Sequence, residues 1–275
     1  MQMEKVIVHN YRIPVTGVAR IIIYQFSDVH LNLADELSSE EERLETVDRI
    51  GQWLRRRENF AKSFQEPYGP DQQLDVAEHL KNLLATANED GDALIIAGDL
   101  FDHINEAHLR MYEKGFPELK IPYLFACGNH EKVAEIPDHC ALAHIKQPMQ
   151  TLDLGDLVLM AVNDSQRVIT RTQIDALKDQ LAQNKPIILV MHIPICSENN
   201  GPLLNTSPYY HLNYPECPPE NLEFIDLIHQ NTDRIAAVFA GHLHFLNVCE
   251  LVPGLTQYVS TQGLTGHINR YVIGE

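Results

Sequence analysis

Short runs dense in Ile, Val, Leu and Ala alternate along this chain with longer stretches in which apolar residues recur every three or four positions. The runs at 20–26, 93–97, 123–126, 157–162, 187–191 and 235–239 have the composition of strands sheltered on both faces. Between them, 40–60, 74–88, 105–114, 171–184 and 219–231 carry the helical period, several opening with Ser, Thr, Asp or Pro. In the stretch 171–184, Ile174, Leu177 and Leu181 share one face while Asp175, Lys178 and Asp179 fall elsewhere, so that helix is expected to pack by a single stripe. The alternation predicts an α/β fold with helices covering a sheet.

Two segments interrupt this rhythm. Residues 64–73 (FQEPYGPDQQ) read as a turn joining two long helices. Residues 196–220 (CSENNGPLLNTSPYYHLNYPECPPE) form a connection longer than compact domains usually carry, rich in Pro, Asn and Tyr. Tyr209, Tyr210, His211 and Tyr214 make it either a substrate-gating loop or a packed surface loop. The acidic run 39–45 reads as a helix N-terminus, where carboxylates suit the dipole. After Leu251, short strands with Gly turns are expected to finish a second sheet as a β-meander.

The chain is 275 residues long, 44% hydrophobic and 21% charged, enough to build one domain over 1–275 without staples. With 21 basic and 38 acidic residues the net charge is −17, which disfavours nucleic acid as a partner and favours small soluble substrates. Five scattered cysteines without CxxC spacing read as reduced thiols, including Cys196 and Cys217 at the ends of the long connection. The first twenty residues lack the apolar core of a signal peptide, and the longest apolar stretch, 186–195, is too short to cross a bilayer and contains His192. A cytoplasmic protein with no membrane partner is therefore expected, and no protein partner can be named.

Chemistry concentrates where the predicted strands end. Asp28 and His30 follow the first as DVH, Asp99 and Asp102 the second as GDLFD, Asn129 and His130 the third as GNHE. His192 closes a fourth as MHIP, and His242 with His244 follows a fifth as GHLH. Ligands of open α/β sheets bind beyond the carboxyl ends of strands. Imidazole, carboxylate and amide oxygen without thiolate suit two divalent ions of the Mn, Fe, Zn or Co class. The pairs DxH and HxH are expected to keep both side chains on one side of an extended stretch. Seven such donors match two ions with open positions better than one.

These five blocks, in this order, closely resemble the signature blocks of the calcineurin-like metallophosphoesterases, from Asp28 to His244. The resemblance implies a four-layer α/β/β/α sandwich of two mixed sheets flanked by helices. It also implies that Asp28, His30 and His244 bind one metal, that Asn129, His192 and His242 bind the other, and that Asp99 bridges both. His130 would face the substrate as acid-base catalyst, oriented by Asp102. The activity implied is hydrolysis of a phosphomonoester or phosphodiester, a small phosphate ester such as a nucleotide being favoured by the charge. A non-catalytic metal-binding scaffold of the same fold and a nuclease are the alternatives.

Other polar residues have blander readings. His79, His103, His108 and His144 are expected to face solvent, and His211 is unassigned. Asn163 and Asp164 stand at a strand end beside the expected site, where a turn role is at least as good a reading. The segment 31–91 between the first two blocks matches nothing assignable and is a place where specificity can reside.

Overall fold

The computed structural model describes residues 6–64 and 76–275. The turn expected at 64–73 lies almost wholly outside the described residues. All six expected strands form: β2 (Ile21–Phe26), β3 (Ala93–Ala97), β4 (Tyr123–Ala126), β6 (Val158–Val162), β7 (Ile187–Val190) and β8 (Ile235–Ala240). The five helical stretches form as α1 (Glu40–Phe64), α2 (Val76–Asp90), α3 (Glu106–Glu113), α4 (Arg171–Leu181) and α6 (Pro219–Gln230), with a single turn, α5 (Gly201–Leu204), inside the long connection. At the head of α1 the Ser39 N–H donates to Glu42 Oε2 at 2.7 Å while the Glu42 N–H donates to Ser39 Oγ at 3.2 Å. This reciprocal cap explains the acidic start of the helix.

Five further strands complete two mixed sheets. The first runs β1 (Ile7–Ile13), β11 (His267–Ile273), β2, β3, β4, and the second β5 (Met149–Asp153), β6, β7, β8, β10 (Leu255–Val259), β9 (Asn247–Val252). Within them β2, β3 and β4 are mutually parallel, as are β6, β7, β8 and β10. The strand period of two sends alternate residues to opposite faces. Ile23, Ile95, Leu159, Ile188, Val190 and Phe239 meet between the sheets, while Ile22, Tyr24, Leu94 and Ile96 face Leu80, Leu83 and Leu84 of α2. On the far side Met160, Ile187 and Leu189 meet Ile174 and Leu177 of α4 and Phe224 and Ile228 of α6. The result is the expected four-layer sandwich of two mixed sheets flanked by helices.

The C-terminal expectation holds only in part. β9 and β10 are an antiparallel pair in the second sheet, but the chain then leaves it. Residues Ser27 and Gln262 bridge the two sheets' ends, and the Gly263 N–H donates to Ser27 O at 2.7 Å. β11 thereby enters the first sheet between β1 and β2 instead of continuing a meander. A side chain on Gly263 would collide with Ser27 O at 2.9 Å, so the crossing needs a glycine there. Among the described residues no helix is long and apolar enough to cross a membrane.

Candidate metal centre

Because β2, β3 and β4 run parallel in one sheet and β7 and β8 in the other, the five motif-bearing strand ends open on one rim. The backbone ties them together there: the Asp28 N–H donates to Gly98 O and the His30 N–H to Asp99 O, both at 3.0 Å. The expectation of extended DxH and HxH segments is overturned. Asp28, His30, Asp99, His242 and His244 have φ of 54°, 48°, 52°, 73° and 61°. Both residues of each pair are thus left-handed, and successive tight bends, not a pleat, turn the side chains to the same place. Non-glycine residues avoid this region, at a cost of roughly 1–3 kcal/mol each, and tolerate it mainly where the surroundings over-determine it. Gly98, at φ 89°, admits the next bend, and a Cβ there would fall 2.2 Å from His192 Nδ1.

The donors converge in two adjacent groups. Asp28 Oδ1 lies 3.3 Å from His244 Nε2 and 3.9 Å from His30 Nε2, and the two imidazole nitrogens are 3.0 Å apart. Asp99, His192 and His242 form a second close group. Asn129 Oδ1 joins it at 3.0 Å from His192 Nε2. Asp99 Oδ2 lies 3.3 Å from His192 Nε2 and 3.8 Å from His30 Nε2, between the groups. Burial works to raise both Asp28 and Asp99, but the charges of His244 and His192 respectively outweigh it and hold each carboxyl well below its ordinary value. Burial lowers His30 and His242 to about 4, leaving neutral rings. His192 goes the other way, to about 10, because Asp99 overcomes its burial.

His130 stands beside these groups with its Nδ1 3.1 Å from Asp102 Oδ1 and 2.8 Å from the Asp102 carbonyl oxygen. Burial would lower this imidazole, but the hydrogen bond to Asp102 and the charge of Asp99 raise it to about 9. Asp102 also approaches His30 Nδ1 at 3.4 Å and accepts from Arg49 Nη1 at 3.1 Å. Arg49 belongs to α1, the segment that the sequence left unassigned. One turn on, Trp53 stacks on His30 with ring centroids 4.0 Å apart and on His244 at 5.4 Å. α1 is therefore a wall of the site.

Two anchoring carboxylates were missed or undervalued by sequence reasoning. Glu131, fully buried, accepts the N–H groups of Asp99 and Phe101 at 2.9 Å and of Gly128 at 2.8 Å, clamping the ends of β3 and β4 together. Burial, then the charge of Asp99, pushes its carboxyl up to about 7. Asp164 accepts the N–H groups of His192 and Ile193 at 3.0 and 2.9 Å, and burial raises it to about 6. It anchors the end of β7, a firmer role than a local turn. The acid at position 131 of GNHE is the signal for the first; for the second the signal is its place at a strand end, which does not by itself distinguish an anchor from a turn residue.

The expectation for His79, His103 and His108 is corrected, since all three are buried, whereas His144 is exposed. Two of them meet the backbone: His79 Nδ1 lies 2.7 Å from Leu264 O, and the Leu33 N–H donates to His108 Nε2 at 3.0 Å. His211 is buried too. In the connection 196–220, Leu204, His211 and Leu212 point inward while Tyr209 is 67% exposed. Its Tyr209 carbonyl accepts from His242 Nε2 at 2.7 Å, and Tyr210 lines a cavity of about 440 Å³ over the site together with Trp53, His130 and His244.

Residues 21–246 match the sequence model of the calcineurin-like phosphoesterases. No curated protein shows significant sequence similarity to the chain. Among solved structures, the purple acid phosphatase PPD1 of yellow lupin (Lupinus luteus) is similar at 13% identity with a TM-score of 0.53, over 92% of this chain and 45% of that one. This likeness is one of fold. A dimetal phosphatase from Danio rerio aligns at 10% identity and TM-score 0.49, over 89% of this chain and 88% of that one. A phosphopantetheinyl hydrolase from Mycobacterium tuberculosis aligns at 13% and 0.47, over 90% and 92%.

Proposed function

The chain belongs to the calcineurin-like phosphoesterase family, and from that membership we propose that Asp28, His30 and His244 hold one divalent cation and Asn129, His192 and His242 a second, with Asp99 shared. The protein is a phosphoric ester hydrolase whose family implies a dinuclear divalent centre. The residues fit such a centre: four imidazoles, two carboxylates and an amide oxygen bring their donor atoms together, and no thiolate intrudes. The observation that carries the reading is the position of Asp99 Oδ2 within 4 Å of both His30 Nε2 and His192 Nε2, one oxygen common to both groups.

Bound there, two divalent cations supply the positive charge that draws in a phosphate ester and activates water. The chain's own residues do the rest. Asp102 fixes the His130 ring through Nδ1, which leaves Nε2 free to give a proton to the leaving alkoxide. Glu131 and Asp164 hold three strand ends in register, and the backbone amide of His130 donates to Asp99 Oδ1 at 2.8 Å, fixing the shared carboxylate.

The substrate class is a small phosphomonoester or phosphodiester, a nucleotide being favoured by the net charge of −17, which repels long phosphate backbones. The connection 196–220 gates it, since its Tyr209 carbonyl holds His242 and its Tyr210 lines the cavity. Residues 1–275 act as one metallophosphoesterase domain, and a reducing, cytoplasmic location suits the five free thiols. The decisive experiment is hydrolysis of para-nitrophenyl phosphate and bis-para-nitrophenyl phosphate by metal-free protein reloaded with Mn, Fe, Zn or Co. Turnover that needs metal and vanishes in Asp99→Asn is the expected result. Two metals bound per chain with no turnover of any ester would mean a scaffold.

A further inference from the structure

The cavity over the metal centre has walls of two chemistries from separate parts of the chain. One comes from α1, where Trp53, stacked on His30, also carries Arg56 over its ring, the Arg56 Cζ 4.8 Å from the ring centroid. Such a cation–π contact holds a guanidinium in place without neutralising it. Among the described residues no carboxylate lies within ion-pair distance of Arg56, whereas Arg49, two turns earlier on α1, is engaged by Glu45 and Asp102. Among the described residues, a chain with 38 acidic and 21 basic residues thus keeps Arg56 as an uncommitted cation on the lip of this cavity. The other wall is aromatic and apolar: Tyr210 packs edge-on against Phe245 with ring centroids 6.3 Å apart, and Leu243 also lines the cavity.

The geometry points to a substrate with two anionic groups and a planar ring. Its scissile phosphate sits on the metal-centre donors, its second phosphate pairs with Arg56, and its ring lies against Tyr210, Leu243 and Phe245. A nucleoside diphosphate has this chemistry. Arg56 is then a specificity-determining residue: its planar fork matches two phosphate oxygens, and it discriminates a diphosphate from a monophosphate. This assignment rests on the phosphoesterase reading of the site and adds to it the class of substrate and the residue that selects it.

Trp53 is the single tryptophan of the chain, so its fluorescence reports on the cavity without any turnover. Metal-loaded protein is titrated with adenosine 5′-monophosphate and with the non-hydrolysable α,β-methylene analogue of adenosine 5′-diphosphate, in the wild type, Arg56→Ala and Arg56→Lys. The diphosphate is expected to bind about tenfold more tightly than the monophosphate, a margin typical of one charge-assisted pair. Arg56→Ala should erase that margin while leaving monophosphate affinity within about twofold, and Arg56→Lys should restore part of it. Equal affinities in the wild type, or a margin that survives Arg56→Ala, would overturn the assignment. Failure of the hydrolase reading looks different: no ester is turned over, while the Arg56-dependent margin persists. Conversely, hydrolysis of generic esters without any nucleotide-induced change in Trp53 emission would sink the substrate class and leave the hydrolase.

Discussion

Glu131 Oε2 accepts the backbone N–H of Asp99 at 2.9 Å, so a buried acid at the end of β4 sets the position of the carboxylate shared by the two donor groups at the end of β3. With Phe101 and Gly128 it satisfies three buried amides in all. Leaving a buried donor unpaired costs roughly 1–3 kcal/mol. Glu131→Ala should therefore lower the unfolding free energy by at least about 3 kcal/mol and weaken metal loading. Urea unfolding and metal analysis check this, and unchanged stability would deny the clamp. Glu131→Gln, which keeps one acceptor oxygen, should fall between.

Gly98 tests the bend itself. Gly98→Ala adds a Cβ 2.2 Å from His192 Nδ1 at φ 89°, whereas Gly17→Ala, at φ 77°, meets nothing within 4 Å. The first should lose metal and stability together. The second should cost only the left-handed strain, of the order of 1 kcal/mol. Equal effects of the two substitutions, read by thermal unfolding and metal stoichiometry, would show that the close approach to His192 is unimportant.

On the proposed role of Asp102, Arg49 is expected to act on the reaction through that carboxylate and not on the substrate. Arg49→Met should reduce kcat by about tenfold, the worth of one charge-assisted hydrogen bond at a partly exposed site, with KM within about twofold. Arg49→Lys should recover part of it. A raised KM at unchanged kcat would instead make Arg49 a substrate contact.

His267 predicts a pH effect on stability. It is buried in the first sheet, its Nδ1 is 2.9 Å from His9 Nε2, and burial with the neighbouring His9 and His79 lowers it from 6.5 to about 4. Between those values the unfolded chain binds the proton and the folded chain does not. Stability from this group is thus complete above pH 6.5, declines as pH falls toward 4, and changes no further below. The full loss is roughly 3 kcal/mol. Unfolding free energies of the wild type and His267→Asn, measured from pH 7 to pH 4, should converge by about that amount; parallel curves would refute it.

Much of the architecture is local and so was readable from the chain. β3 and β4 match their expected ends residue for residue, because a strand buried on both faces must be a continuous apolar run. The interrupted strands were not legible. In β1 and β11 the polar residues His9, Asn10, Asn269 and Arg270 break the apolar pattern; β1 is held by its pairing with β11, and β11 lies between β1 and β2.

The site divides the same way. Motif order determined which Asp, Asn and His residues stand at strand ends, since a strand's end is a property of the adjacent residues. That Asp28, His30, Asp99, His242 and His244 are left-handed was decided only by tertiary structure, because backbone bonds between neighbouring strand ends outweigh the local preference against that conformation. Arg49, Trp53 and Arg56 show the limit most plainly: on an isolated helix they are a solvated cation, a ring and another cation. Only the docking of α1 against His30 and Asp102, contacts between residues far apart in sequence, makes them a wall of the site.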